Sequence, residues 1–219
     1  MQAADMRNTS TLKQPILDEH LFTEEWPFVD YQYPAKKSSG GLLVIVGEAP
    51  GANEVKLGRP FVGRSGQLLE KNLQAVGIER AAILVANVFR YQPPKNKVDH
   101  FFSSLRKSKE SGAAVDESLG RFASKYVLKK YAEEIRHLGK ILRQEKPKAI
   151  ITLGRTPLWA LTGLEGILSI RGKIQDCRLT PGIPVIPTYH PSYIIRGNWN
   201  CESILAGDLK TALELTQKS

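Results

Sequence analysis

Apolar positions along the chain fall into two rhythms. Short continuous runs, Leu42–Val46, Ala82–Ala86, Ala149–Leu153 and Ile183–Tyr189, have the length and branched-residue content of buried strands. The last run carries Pro184 and Pro187; proline cannot donate to a sheet ladder, so this strand reads as an edge or a strand end. Between the runs, apolar residues recur at steps of three and four. Leu68, Leu69, Leu73 and Val76 predict a helix over 65–76, with Ser65 as its cap and Gly77 closing it. Leu128, Tyr131, Ile135, Leu138 and Leu142 predict a helix over 126–145, stopped by Pro147, with Lys129, Lys130, Glu133, Glu134, Arg136 and Lys140 on its other side. Thr156-Pro157 reads as a cap followed by proline at the first helical position, opening a helix that ends near Gly163 and buries Trp159. Ile204, Leu205, Leu209 and Leu213 predict a closing helix over about 201–216. Alternating strands and helices predict a three-layer α/β/α sandwich around a short, mainly parallel sheet.

Two segments break the rhythm. Residues 1–40 lack sustained periodicity and read as an N-terminal arm, packed on the domain by Trp26, Pro27, Phe28, Tyr31, Tyr33 and Pro34. Residues 41–219 form the domain, with an insertion over about 95–125 that reads as some helix carrying solvated charge, including Lys97, Arg106, Lys107 and Lys109.

Composition narrows the classes. A chain of 219 residues suits one α/β domain. No stretch approaches the roughly 20 apolar residues of a membrane span, and Met1–Ser10 is polar with no signal-peptide core, so a cytoplasmic location is expected. Cys177 and Cys201 are far apart, and His20, His100, His137 and His190 form no ligand pattern; free thiols and no bound metal are expected. The net charge of +9, from 31 lysines and arginines against 22 acids, suits a polyanionic partner as well as simple solubility.

Candidate chemistry gathers where the strands end. The first strand runs into Gly47-Glu48-Ala49-Pro50-Gly51 and then Gly58-Arg59-Pro60-Phe61-Val62-Gly63-Arg64-Ser65-Gly66. This is no phosphate loop: it has neither G-x-x-x-x-G-K-[ST] nor G-x-G-x-x-G, and Glu48 would repel a phosphate. Backbone amides beside the Phe61 ring suit a neutral planar ligand. Asn87 ends the second strand, suited equally to a pocket or to capping the turn. His190 follows the last strand, in Pro187-Thr188-Tyr189-His190-Pro191-Ser192-Tyr193.

Together these pieces resemble the uracil-DNA glycosylase superfamily, and its family 4 in particular, over most of residues 41–215. The resemblance implies a glycosylase that flips uracil out of DNA and hydrolyses its N-glycosidic bond, leaving an abasic site. It implies that Phe61 stacks on the base, that Asn87 reads its edge, with Gly47 and Ala49 in the same pocket, and that His190 donates to uracil O2 as charge builds there. Glu48 and Glu54 are the candidates for holding the water or stabilising the sugar cation; Glu54 equally suits a structural cap. Beyond His190, Ser192, Tyr193, Ile194 and Arg196 resemble a DNA-inserting loop, with Tyr193, Ile194 and Arg196 as its wedge; the alternative is that Ile194 and Ile195 form the core of that loop. Arg59, Arg64, Ser65, Lys95 and Arg196 are expected at DNA, the cations on phosphates. The DNA would contain uracil and be single- or double-stranded.

The chain departs from family 4 in one respect. Typical members carry four cysteines holding an iron–sulfur cluster, two of them in an N-terminal pair and one just before an Arg-Pro-Pro-like segment, where this chain reads Arg90-Tyr91-Gln92-Pro93-Pro94. Four thiolates cannot come from Cys177 and Cys201 alone, so no cluster and no other cofactor are expected. A divergent member resembling phage-type proteins could instead be a weakly active or inactive DNA-binding or replication-associated protein, or a glycosylase for another deaminated base such as hypoxanthine.

Overall fold

A computed structural model describes residues 27–38 and 40–218; Trp26 lies outside them. In chain order the elements are β1 (Leu43–Gly47), α1 (Ala52–Leu57), α2 (Arg64–Ala75), β2 (Leu84–Asn87), β3 (Phe102–Ser103), α3 (Leu105–Ser111), β4 (Val115–Asp116), β5 (Tyr126–Leu128), α4 (Lys129–Glu145), β6 (Ala149–Leu153), α5 (Arg155–Thr162), α6 (Ile167–Ile170), β7 (Gln175–Asp176), β8 (Pro184–Thr188), α7 (Pro191–Ile195) and α8 (Glu202–Gln217). The central sheet has the order β2-β1-β6-β8-β7. Its first four strands are parallel and β7 is antiparallel, so the fold is the expected α/β type.

Burial on both faces explains why the strands are continuous apolar runs. Along β1, Val44 and Val46 enter a core shared with α4 and α5, while Leu43 and Ile45 enter a second core shared with α2 and α8. The chain leaves β1 to form β2 on one side, and later returns to place β6 on the other. The order therefore reverses between β1 and β6, and open α/β sheets bind ligands beyond the carboxyl ends of strands at such a reversal.

Several local expectations change. β8 lies inside the sheet, between β6 and β7; its prolines are tolerated because β7 pairs only with Val185 and Pro184, leaving Pro187 beyond that ladder. Helix α2 is capped by Gly63, and Ser65 sits within its first turn. Residues 126–128 are strand, so the helix expected from 126 begins at Lys129. The insertion is more than solvated charge. It folds as α3 and the antiparallel sheet β3-β5-β4, and it sends Phe101, Phe102 and Phe122 into the core, where Phe102 and Phe122 pack on Trp159 at 5.5 and 5.4 Å.

Residues 28–36 run along the outer edge of β2. Gln32 exchanges both backbone hydrogen bonds with Val85 at 2.9 Å, Val29 N–H donates to Arg90, and Ala35 N–H donates to Ala81, both at 2.8 Å. Phe28 and Tyr31 lie against the Arg90 guanidinium, at 4.9 and 5.4 Å from its carbon. That guanidinium is buried, and so is its partner. Arg90 Nε and one terminal nitrogen donate to the two oxygens of Glu134 at 2.9 and 3.0 Å, and Arg90 N–H adds a third bond at 3.1 Å. Glu134, placed by the sequence on the polar side of its helix, is 2% exposed because this fork supplies a countercharge and hydrogen bonds.

Removing one partner of such a pair strands the other charge in the core. Glu134→Ala is expected to lower unfolding stability by about 3–5 kcal/mol, measured by urea denaturation; a loss near that of a surface substitution would show that the pair is solvated.

Candidate active site

A cleft of about 1020 Å³ opens over the carboxyl ends of β1, β2, β6 and β8. Glu48, Phe61, Asn87 and His190 line it together, from four separate stretches of chain. Ala49, Glu54, Ser65, Ser192, Tyr193 and Arg196 line it as well, whereas Gly47 lies buried beneath Phe61. A methyl group on Gly47 would stand 2.3 Å from the Phe61 ring and 2.4 Å from Asn87 Oδ1, so only glycine lets this ring and this amide converge.

Phe61 is held where it is at some cost. Its φ is +52°, a region that bulky residues avoid. Arg80 stabilises the turn, donating to the Pro60 and Phe61 carbonyls at 2.6 and 3.2 Å. Gly66 clears room for it, since a Cβ there would lie 2.0 Å from the Phe61 carbonyl oxygen. Glu54 locks the other end of the loop: one carboxylate oxygen accepts from Val62 and Gly63 N–H at 2.9 and 2.8 Å, and the other from Gly51 N–H at 3.2 Å. Both oxygens are thus engaged by the backbone that frames the cleft.

Glu48 differs. Its hydrogen-bond partner among the described residues is the Thr156 hydroxyl, which reaches it across the reversal between β1 and β6. Burial pushes the Glu48 carboxyl above its ordinary value; the Thr156 hydrogen bond and the nearby Arg155 and Arg196 charges oppose that shift without cancelling it. Thr156 is therefore not the expected cap: Gly154 takes that position, leaving the threonine hydroxyl for Glu48.

Asn87 is 4% exposed, and its Oδ1 has no hydrogen-bond partner among the described residues. A buried amide acceptor without a partner is costly, and the residue that carries it lines the cleft. His190 caps α7, and its Nδ1 accepts from Ser192 N–H at 3.0 Å. An N–H must donate, so Nδ1 carries the lone pair and the neutral ring has its proton on Nε2. Burial, helped by the Arg196 charge and opposed by Glu54, pushes the imidazole down to about 4. At neutral pH His190 is an uncharged Nε2–H donor.

The remaining expectations divide. Ile194 is fully buried in the core under α7 and cannot act as a wedge: its side chain packs the helix that carries Ser192 and Tyr193. Tyr193 stacks on Tyr189 at 5.2 Å, and Arg171 lies over Tyr189 at 5.7 Å. Arg59 and Arg64 are exposed and outside the cleft lining, as is Lys95, although its neighbours Pro93 and Asn96 line it. Sequence reasoning missed Arg155, Thr156 and the α6 residues at the rim. The first two follow from the placement of β6 beside β1, which the local sequence does not record.

The thiols do not fit an iron–sulfur cluster. Cys177 belongs to the core of α4 and α5, where Thr180 donates to its sulfur at 3.2 Å, and Cys201 belongs to the core of α2 and α8 on the opposite face of the sheet. Among the described residues no group of three histidine, cysteine or acidic side chains is placed to hold a metal. Tyr91, in the segment where a ligand cysteine would stand, is buried and packs on Phe28 at 5.5 Å.

The sequence model of the uracil DNA glycosylase superfamily matches residues 38–206. A type-4 uracil-DNA glycosylase of Thermotoga maritima is 33% identical over 179 residues, covering 80% of this chain and 78% of that protein. One of Sulfurisphaera tokodaii is 29% identical over 198 residues, covering 87% and 77%, and one of Pyrobaculum aerophilum is 31% identical over 183 residues, covering 79% of each.

The histidine geometry predicts its own titration. Nitrogen-15 spectra of the imidazoles are expected to show His190 neutral, with the proton on Nε2, from neutral pH down to about 4. A ring that takes up its proton near the ordinary 6.5 would show that burial does not hold it neutral, and a neutral ring with its proton on Nδ1 would overturn the tautomer.

Proposed function

We propose that this chain, which belongs to the uracil-DNA glycosylase superfamily, is a family 4-like enzyme that hydrolyses the N-glycosidic bond of uracil extruded from DNA. The observation that carries this reading is the convergence of Phe61, Asn87, Glu48 and His190 on one cleft at the sheet reversal. The names of its relatives support it.

Uracil is flat, uncharged and polar at its edge. The base lies on Phe61, and the Asn87 amide pairs with its edge: Oδ1, without a partner among the described residues, accepts from the ring N–H while the NH₂ donates to O4. Cytosine offers a bare ring nitrogen and an amino group at these two places, and so mismatches both. As the bond to the sugar breaks, electrons move onto uracil O2. The His190 Nε2–H donates to that oxygen; a neutral donor on a fixed ring stabilises the leaving anion without first having to lose a proton. Glu48 faces the sugar, where its carboxylate orients the water and offsets the positive charge of the oxocarbenium-like centre. Glu54, committed to three backbone amides, keeps the loop and Phe61 in place. Cleft-lining side chains among the described residues include no lysine amine to attack C1′, which favours simple hydrolysis that leaves an abasic site. Arg155 and Arg196 flank the cleft and suit the phosphates on either side.

Base release from matched oligonucleotides carrying uracil, hypoxanthine, xanthine or no lesion tests the reading. Uracil alone is expected to be released, His190→Ala is expected to lose about 10²–10³ of the rate, and Asn87→Ala is expected to lose its preference for uracil over cytosine. Release of hypoxanthine alone would reassign the substrate; DNA binding without release of any base would remove the enzymatic reading.

Glu48 must be ionised to act, so protonating it abolishes the rate as pH falls. Since burial raises its titration, the acid limb of kcat/KM is expected above the ordinary glutamate range. Thr156→Val removes a donor to the ionised form and is expected to move that limb further up, while Thr156→Ser leaves it in place. An unshifted limb in the valine variant would separate Thr156 from Glu48.

A further inference from the structure

With Ile194 buried, the loop after His190 lacks its expected apolar wedge, yet a base leaving a duplex needs its place in the stack filled. Large apolar side chains exposed among the described residues are Phe28, Leu57, Leu164, Leu168, Ile174 and Trp199. Of these, only Leu168 lines the cleft. It is 72% exposed and belongs to α6, a separate rim element from α7, which contributes Ser192 and Tyr193.

The support beneath Leu168 is firm. Helix α6 is bracketed by Gly166 and Gly172, with φ of +88° and +72°. The Ser169 hydroxyl and N–H both donate to the Gly166 carbonyl at 3.0 Å, and Gly172 N–H ties the segment to Pro187 of β8 at 2.8 Å. Arg171 bridges from this segment to buried Asp208 at 3.4 Å while lying over Tyr189, the residue before His190. An apolar side chain held so exposed on a fixed turn gains nothing from the protein's own core. Its surroundings suit a polyanion: Arg155 and Arg196 line the same cleft, and Arg171 lies in the same segment.

We infer that Leu168 is the residue that enters duplex DNA beside the extruded nucleotide, filling the base stack from the α6 side. The occupant of this rim is thus a base step of double-stranded DNA, held by its phosphates to Arg155 and Arg196. The inference rests on the glycosylase reading for the direction in which the nucleotide leaves.

Leu168→Ala, Leu168→Met and, as an exposed control away from the cleft, Leu57→Ala would be compared on the same uracil-containing oligonucleotide, single-stranded and in a duplex. Leu168→Ala is expected to lower kcat/KM on the duplex by about tenfold or more while leaving single-stranded release within about twofold; Leu168→Met restores the duplex rate and Leu57→Ala changes neither. Equal losses on both substrates, or none on either, would overturn the inference. A second readout needs no catalysis: 2-aminopurine placed next to a stable abasic analogue in a duplex. Its fluorescence is expected to rise on binding the wild-type protein and to lose that rise with Leu168→Ala; no rise with wild type, or an undiminished one with the variant, would also overturn it. Should the wild-type protein release no base from either substrate, the glycosylase reading falls by itself, and the fluorescence still decides where Leu168 goes.

Discussion

The missing side chain at Gly47 is the constraint on which the site depends. β1 and β2 run side by side in register, Gly47 opposite Asn87, and the Phe61 ring must fold back over that pair to make the floor of the cleft. One added carbon would collide with both the ring and the amide. The unfavourable φ of Phe61, the Arg80 donors to its carbonyl, the clearance at Gly66 and the Glu54 clamp all serve the same close approach. Strain in the loop is offset by hydrogen bonds that have no part in the chemistry, and a planar surface results, fixed before any ligand arrives.

The two glutamates of the loop show how environment divides like residues between different tasks. Glu54 is surrounded by backbone donors, so its charge is spent on structure. Glu48 has one hydroxyl donor and little solvent, so its charge is held in a place that disfavours it. A carboxylate so placed is a stronger partner for a developing positive centre than one already satisfied. His190 follows a related logic. Its backbone contact fixes which nitrogen bears the proton, and burial keeps the ring uncharged.

Much of the framework was legible because it obeys local periodicity. The runs Leu42–Val46 and Ala149–Leu153 are buried on both faces and show it; α4 and α8 have apolar stripes with the correct spacing. Glu48, Phe61, Asn87 and His190 could be singled out because each stands at or just after a strand end. What was misread depends on partners distant in sequence. Glu134 looks like any surface acid on an amphipathic helix until Arg90, 44 residues away, folds against it. Thr156 before proline satisfies the rule for a helix cap, and nothing local reveals that its hydroxyl faces Glu48. Ile194 suits a wedge or the core of its loop equally until α7 forms and turns it inward. The strands of the insertion and α6 are too short to carry a period, and they exist because of tertiary contacts.

The segment along β2 has a further effect. An uncovered β2 would present a row of free N–H and C=O groups on the outermost parallel strand, the kind of surface onto which another chain can add. Gln32 takes the Val85 positions, and Val29 and Ala35 take neighbouring carbonyls. The first described residues therefore occupy positions at which another chain could add, and they bring Val29 and Tyr31 into the core at the same time.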